Sequence, residues 1–470
     1  MFVPGQEGFE HQDSRAGAVL ARLLALDDAE VRAAFDDVQD RFAGRHRDLL
    51  ATFRRHAAQL ADRLEAARPL SDTRRLLLGA TFTCEFAIEG AALCNPSIVA
   101  DPDQDGAPPG ALRIIMSVRA IGEGHRSSVG FRTGLIDGDG QTVFDPPPRY
   151  ATVGTTQTVT LEAPALRAEL ARLGVDGENA DYVLDPLGPR FAAADLEEQL
   201  GRLHGNLVTR HRGNETIAAI RAIAMRTYGV EFPPESALDE RVLWPSMAAE
   251  SHGMEDARFV RFTHDDGAVT YYAVYTAYDG DHISQQLLET SDFRTFTSSP
   301  LAGPAAANKG LALFPRRVHG RYVALSRSDR ETNAIAFAAH PLDWATSTPC
   351  QAPTRAWEVL QLGNCGSPIE TDAGWLVLTH GVGPMRTYSI GALLLDLDDP
   401  TRILGQLRRP LLQPTSAEQN GYVPNVVYSC GAIVHAGSLV VPYGVGDASI
   451  GIATVPVDDL LGVLTDPTER

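Results

Sequence analysis

The chain has 470 residues, 44% of them hydrophobic and 21% charged, and a net charge of −19. That length can bury a sizeable core in about two to four domains, or in one large repeat-built domain with additions. The acidity excludes nucleic acid and anionic membrane as partners, because both require a basic footprint. Cys84, Cys94, Cys350, Cys365 and Cys430 are scattered, odd in number and contain no Cys-x-x-Cys pair. They speak for reduced thiols in the cytoplasm and against a disulfide framework or a zinc site. The N-terminus has neither a basic start nor an apolar signal core, and no apolar run approaches membrane-spanning length.

Residues 14–80 are rich in Ala, Leu and Arg at helical spacing. Leu20, Leu23 and Leu24, then Val31, Phe35, Val38 and Phe42, mark two amphipathic helices; Leu49, Leu50, Phe53, Leu60 and Leu64 mark a third. Ser71-Asp72 is the N-cap signal of a short helix through Leu78. From residue 81 the pattern turns to short β-like runs such as 112–118, 127–131 and 157–161. Helical spacing returns at 164–173, 194–203 and 215–227, with Pro164 suited to a first helical position. Beyond residue 246 the chain reads as nearly continuous β structure, with strands at 258–263, 270–276, 322–326, 375–379, 390–395, 431–435 and 438–443. Tight turns at Asp265-Asp266-Gly267, Val318-His319-Gly320 and His435-Ala436-Gly437 join them. Hairpins repeating at this interval fit a β-propeller, with a pair of β-sandwiches as the competing arrangement. The organisation predicted is an N-terminal helical segment 1–80, a β-domain 81–460 with a helical insertion at about 163–245, and a tail 461–470. The N-terminal helices make a homo-oligomer an expectation.

Among the 41 Lys and Arg residues only Lys309 is a lysine. A lysine that survives so strong an arginine bias stands where a compact ammonium, and not a planar fork, is wanted. Other polar residues at strand ends are Asn95, Arg119, Asp256, Arg258, His380 and Asp447. One acid, several charge-assisted donors and nearby Trp and Tyr suit a neutral polyhydroxylated ligand. There is no Gly-x-Ser-x-Gly elbow, no His-Glu-x-x-His helix and no metal-ligand spacing, so neither a metal nor another cofactor is expected.

Glu255-Asp256-Ala257-Arg258 followed by Tyr275-Thr276-Ala277-Tyr278 resembles the signature of glycoside hydrolase family 130, which groups β-mannoside phosphorylases with β-1,2-mannosidases. The resemblance continues through Asn308-Lys309, Leu313-Phe314-Pro315, His380-Gly381-Val382, the run 391–400 and Val423-Pro424-Asn425-Val426-Val427. It implies a mainly β fold with helical additions, a five-bladed β-propeller holding the sugar in its central channel. It implies inversion at the anomeric carbon without a metal, and Asp256 as general acid. In the family's phosphorylases that acid acts through a hydroxyl of the bound mannoside. Asn95, Arg119, Asn425 and Asp447 fall in motifs that line the family's sugar site. The family's phosphorylases carry arginines just after the Tyr-Thr-Ala segment; this chain has Asp279-Gly280-Asp281 instead.

The sequence therefore points first to an inverting glycosidase acting on β-mannosides, with β-1,2-linked manno-oligosaccharides as substrate. Asp256 is its acid, and Glu331 or Glu370 its base, roughly 6.5–9.5 Å from the acid. Arg258, Lys309 and His380 join the sugar-binding set. The alternative is a phosphorylase that uses inorganic phosphate to give mannose 1-phosphate, with Lys309 and the nearby Arg316, Arg317 and Arg327 rebuilding the anion site. A non-catalytic glycan-binding propeller is the third reading.

Overall fold

Asp27 begins the second helix of the chain as its sequence demands: its carboxylate accepts from the backbone N–H groups of Ala29 and Glu30, and Glu30 reaches back to the Asp27 N–H. In the computed structural model, which describes residues 2–4, 16–60, 70–175, 177–205 and 212–466, the chain forms two compact units. One is Met1–Ile88 with Pro148–Thr152; the other is Glu89–Pro147 with Val153–Arg470. Leu64 and the end of the predicted tail, 467–470, lie outside the described residues.

The first unit holds helices α1 (Ala16–Ala25), α2 (Asp28–Phe42), α3 (Leu49–Ala58) and α4 (Asp72–Thr81). Val31, Phe35, Leu49, Phe53, Leu76 and Leu77 form its main core. These are mostly the positions marked by the helical spacing. Ser71 caps α4 through the Arg74 N–H.

The second unit is mainly β. Most of its described strands fall into five antiparallel groups in chain order. The first is Ala92–Ala100, Leu112–Ile121, Ser127–Ile136 and Thr142–Phe144. The second is Gly253–Thr263, Val269–Tyr278, Ile283–Thr290 and Thr295–Pro300. These two belong to one 12-stranded sheet, joined where Gly253 pairs with Ser127. The third is Ala312–Leu313, Tyr322–Ser326, Asn333–Ala338 and Ser347–Gln351. The fourth is built on Gly374–Val382 and Tyr388–Leu395, the fifth on Ser438–Val445 and Ser449–Pro456.

Each consecutive pair of groups shares an apolar core. Phe131 meets Phe259 between the first and second groups. Val274 and Leu287 pack with Leu313 and Ala324 between the second and third. Phe314 meets Trp375 at 5.0 Å between the third and fourth. Leu376 and Leu378 pack with Leu439 and Val441 between the fourth and fifth. Ile98, Ile114 and Ile136 pack with Val440, which joins the fifth group to the first.

The segments 92–100, 253–263, 309–315, 361–370 and 426–434 run from one cavity to another. Asn95, Asp256, Lys309, Gln361 and Val426 line a cavity of about 170 Å³. Further along the same segments, Ile98, Phe259, Pro315, Ser367 and Gly431 line a second cavity of about 450 Å³.

Between the first two groups lies the helical insertion, with α5 (Ala163–Arg172), α6 (Gly177–Leu184), α7 (Ala193–Gly205) and α8 (Gly213–Ala224). It has a core of its own, including Leu166, Val183, Leu200 and Ile220. The strand expected over 157–161 is not continuous: Thr155–Gln157 and Leu161–Glu162 pair with different partners. The expected tail starts inside a helix, α9 (Val457–Thr465), whose Val457, Leu460 and Leu464 pack on the fifth group. Among the described residues no helix is long and apolar enough to cross a membrane, and no cluster of three or more His, Cys, Asp or Glu could hold a metal.

Candidate active site

Two strands break their pairing where they reach the smaller cavity. The register of Ala92–Ala100 shifts between Cys94 and Ser97, and that of Gly253–Thr263 shifts between Glu255 and Arg258. Asn95 and Asp256 sit within these bulges in left-handed conformation, with φ of 49° and 55°. A bulge inserts an extra residue and re-aims its side chain. Asn and Asp tolerate the left-handed region better than most residues, and held strain of this kind gathers at functional sites. Here the bulges bring the two side chains together: Asn95 Nδ2 donates to Asp256 Oδ1 at 2.5 Å.

Arg119 adds a second clamp. One terminal nitrogen donates to Asp256 Oδ1 at 3.4 Å and the other to Glu255 Oε1 at 2.6 Å. Lys309 Nζ lies 4.0 Å from Glu255 Oε2. Burial on its own would raise the Asp256 carboxyl pKa, but Arg119, Lys309 and Arg258, with the Asn95 amide, outweigh it and hold the group at about 2. Asp447, in a left-handed turn at φ 48°, faces the same cavity. Burial and the neighbouring Asp256 charge push it up to about 6.

On the other side, Arg327 follows the strand Tyr322–Ser326 and donates to His380 Nε2 at 2.8 Å. His380 Nδ1 is 3.1 Å from the Asn364 carbonyl oxygen. A carbonyl only accepts, so Nδ1 carries the proton and Nε2 offers its lone pair to Arg327. Burial, with Arg327 and Arg258, keeps this imidazole neutral by pushing its pKa far down. Arg386 enters the wall from the hairpin turn Pro384–Arg386, where Met385 and Arg386 are both left-handed. Gln361, Tyr388, Val423 and Tyr428 complete it with Val426.

The wall therefore carries four cations (Arg119, Lys309, Arg327 and Arg386) against two carboxylates (Asp256 and Asp447). Asn95 Oδ1, Arg119 Nε and Arg327 Nε are buried without a protein partner. Buried polar atoms are nearly always paired, so these suit a ligand rich in hydroxyl or anionic oxygens. A volume of about 170 Å³ is below the roughly 300–1,000 Å³ typical of drug-sized ligands. It suits one sugar ring and not a chain of them.

Of the residues singled out in the sequence, Asn95, Arg119, Asp256, Lys309, His380 and Asp447 meet at this wall. Arg258 lies behind it, 2% exposed, donating to the Asp256 carbonyl, the Cys365 carbonyl and the Tyr428 hydroxyl. It ties three of the five segments together. Asn425 is left-handed and binds through its backbone, to Tyr388 N–H and the Gln419 carbonyl, while its neighbours Val423 and Val426 form the wall.

Neither expected base reaches the cavity. Glu370 is exposed at the other end of its segment, beside the larger cavity, and is held by Arg316 at 2.6 and 2.8 Å. Glu331 is exposed in a turn that Asp329 caps. Sequence reasoning missed Arg386, Gln361, Tyr388 and Tyr428. Each sits at a strand end or hairpin whose approach to the cavity is a tertiary matter. The only local signal was a polar or aromatic residue beside a glycine-rich turn.

The comparisons with known proteins bear on the same segments. The profile of glycoside hydrolase family 130, described as beta-1,4-mannooligosaccharide phosphorylase, matches residues 194–466. The chain belongs to glycoside hydrolase family 130. Within the family it is 33% identical over 235 residues to a 1,2-beta-oligomannan phosphorylase of Thermoanaerobacter sp., a match covering 47% of this chain and 75% of that protein. It is 30% identical over 239 residues to a beta-1,2-mannobiose phosphorylase of Listeria innocua, covering 48% of this chain and 64% of that protein. The solved complex of a Listeria innocua beta-1,2-mannobiose phosphorylase with beta-1,2-mannobiose aligns at a TM-score of 0.46 and 21% identity, covering 81% of this chain and 93% of that one.

Proposed function

We propose that this family 130 chain is an inverting β-mannoside phosphorylase built on a five-bladed β-propeller, with Asp256 as its general acid. The observation that carries the reading is the charge of the cavity wall. A phosphate dianion needs several fixed cations, of which arginine is the usual choice, and Lys309, Arg327 and Arg386 line the wall with Arg119. An inverting hydrolase needs instead a second carboxylate to activate water; the two expected in that role, Glu331 and Glu370, both lie away from this wall, where Asp447 is the carboxylate beside Asp256. The names of the relatives, all of them phosphorylases, favour the same reading over the hydrolysis that the sequence first suggested. That suggestion leaned on Asp279 and Asp281. Asp279 is spent on its own turn, accepting from the Asp281 and His282 N–H groups at 2.9 and 2.6 Å.

The propeller is supported by the cyclic order of the shared cores and by five segments that line both cavities. In the proposed reaction a phosphate oxygen attacks the anomeric carbon as the glycosidic C–O bond breaks. The proton of Asp256 passes, through a substrate hydroxyl, to the departing oxygen. The products are mannose 1-phosphate and the shortened saccharide. The Arg119, Lys309 and Arg258 charges keep Asp256 ionised in the free site. A bound dianion offsets these charges and raises the carboxyl's proton affinity. Phosphate binding thereby readies the acid.

The test is incubation with β-1,2- and β-1,4-mannobiose with and without phosphate. Mannose 1-phosphate should form at a rate that saturates in phosphate, and Asp256→Asn should cut it by on the order of 10²–10⁴. Free mannose released at a phosphate-independent rate would return the chain to the hydrolases. A folded Asp256→Asn with normal turnover would remove the acid assignment.

A further inference from the structure

We infer that Tyr422, braced by His125, is a stacking platform for the acceptor end of the saccharide, so that this protein prefers substrates longer than a disaccharide. The inference rests on the phosphorylase reading. The cavity takes one ring, so an oligosaccharide must continue across its mouth. Tyr422 stands one residue outside the wall formed by Val423 and is 46% exposed. Its hydroxyl is hydrogen-bonded to His125 Nδ1 at 2.8 Å, and the two rings lie 5.9 Å apart, tilted by 34°.

The two residues come from separate loops. His125 ends the turn Glu123–His125 between two strands of the first group, held in left-handed conformation at φ 58°. Tyr422 belongs to the loop that leads into the fifth group, anchored where the Val423 N–H donates to the Gly446 carbonyl at 2.8 Å. A large aromatic side chain that is exposed yet fixed at both ends loses little entropy when it binds. It presents a flat apolar face to the C–H face of a sugar ring, while the ring's hydroxyls remain free for polar partners. Arg386, which lines the cavity and follows the 85%-exposed Met385, is such a partner.

The experiment compares kcat/KM for β-1,2-mannobiose, -triose and -tetraose in the wild type, Tyr422→Ala and Tyr422→Trp. Tyr422→Ala should lower the values for triose and tetraose on the order of three- to tenfold more than that for biose. Tyr422→Trp should restore the preference. An equal loss at every chain length, or none, would overturn the platform. Titration calorimetry with β-1,2-mannotriose decides the point independently of turnover. Should the wild type phosphorolyse no β-mannoside, the phosphorylase reading fails. The platform then stands if Tyr422→Ala weakens mannotriose binding, and falls if it does not.

Discussion

Lys309 shows how far one residue can be read. As the chain's single lysine it called for a role needing a compact ammonium, and it lines the cavity within 4.0 Å of Glu255. Asp447 could not be read this way, because its character comes from burial beside Asp256. Its carboxyl stands at about 6 in the folded chain, against about 3.9 for an ordinary aspartate. Between these values the folded state binds more protons than the unfolded state, so this group's contribution to stability falls as pH rises through the window. Asp256 works in the opposite sense. Held at about 2, it contributes stability above pH ~4 that is lost as the pH falls toward 2. Asp447→Asn should therefore stabilise the fold at pH 8, by on the order of 1–3 kcal/mol, with the gain gone below pH ~4. Its activity should drop at the same time. Denaturant melts at pH 4 and pH 8 beside phosphorolysis rates test this. A variant no more stable than wild type at pH 8 would mean that Asp447 is not strained by its neighbour.

At the scale of elements, the site depends on strands that stop being regular where they meet. The bulges at Asn95 and Asp256 aim two side chains at one point, and Arg258 binds the segments behind them through Cys365 and Tyr428. Close approach of backbones is part of this arrangement. A Cβ on Gly366 would lie 2.4 Å from the Cys430 carbonyl oxygen and 2.7 Å from the Gly431 Cα. Neither atom can rotate away, so Gly366→Ala forces the fourth- and fifth-group segments apart. The expected cost is about 1–3 kcal/mol, typical of overpacking, with lower kcat/KM because Arg258 rests on the adjacent Cys365 carbonyl. Unfolding midpoints and kinetics of this single variant check both effects.

At the scale of the whole molecule, the helical insertion and the strand groups answer to different cores. Ile220 in α8 is 0% exposed and packs with residues of the insertion itself. Ile220→Ala should remove about 2–5 kcal/mol of local packing. Hydrogen exchange should then accelerate across the insertion's helices while the strands of the five groups keep their protection, and phosphorolysis should continue, since no described residue of 163–224 lines the cavity. Loss of protection in Gly374–Val382 along with the helices would instead make the second unit one cooperative block.

The sequence by itself determined the helical character of residues 16–58 and 72–81, the switch to β structure and most strand positions, because alternation and turn chemistry are local properties. It also determined the family and six residues of the cavity wall, since the motifs around Asp256 and Lys309 are contiguous in the chain. Only the tertiary structure decided the charge of the site. Arg327 and Arg386 reach the wall from a strand end and a hairpin 59 residues apart in the sequence numbering. Glu370 belongs to a segment that does reach the cavity, but its side chain lies at the far end, with Arg316. Position along a strand separates the two ends of a molecule by only a few residues. Which end holds the chemistry follows from how the groups pack around one another, and no local pattern encodes it.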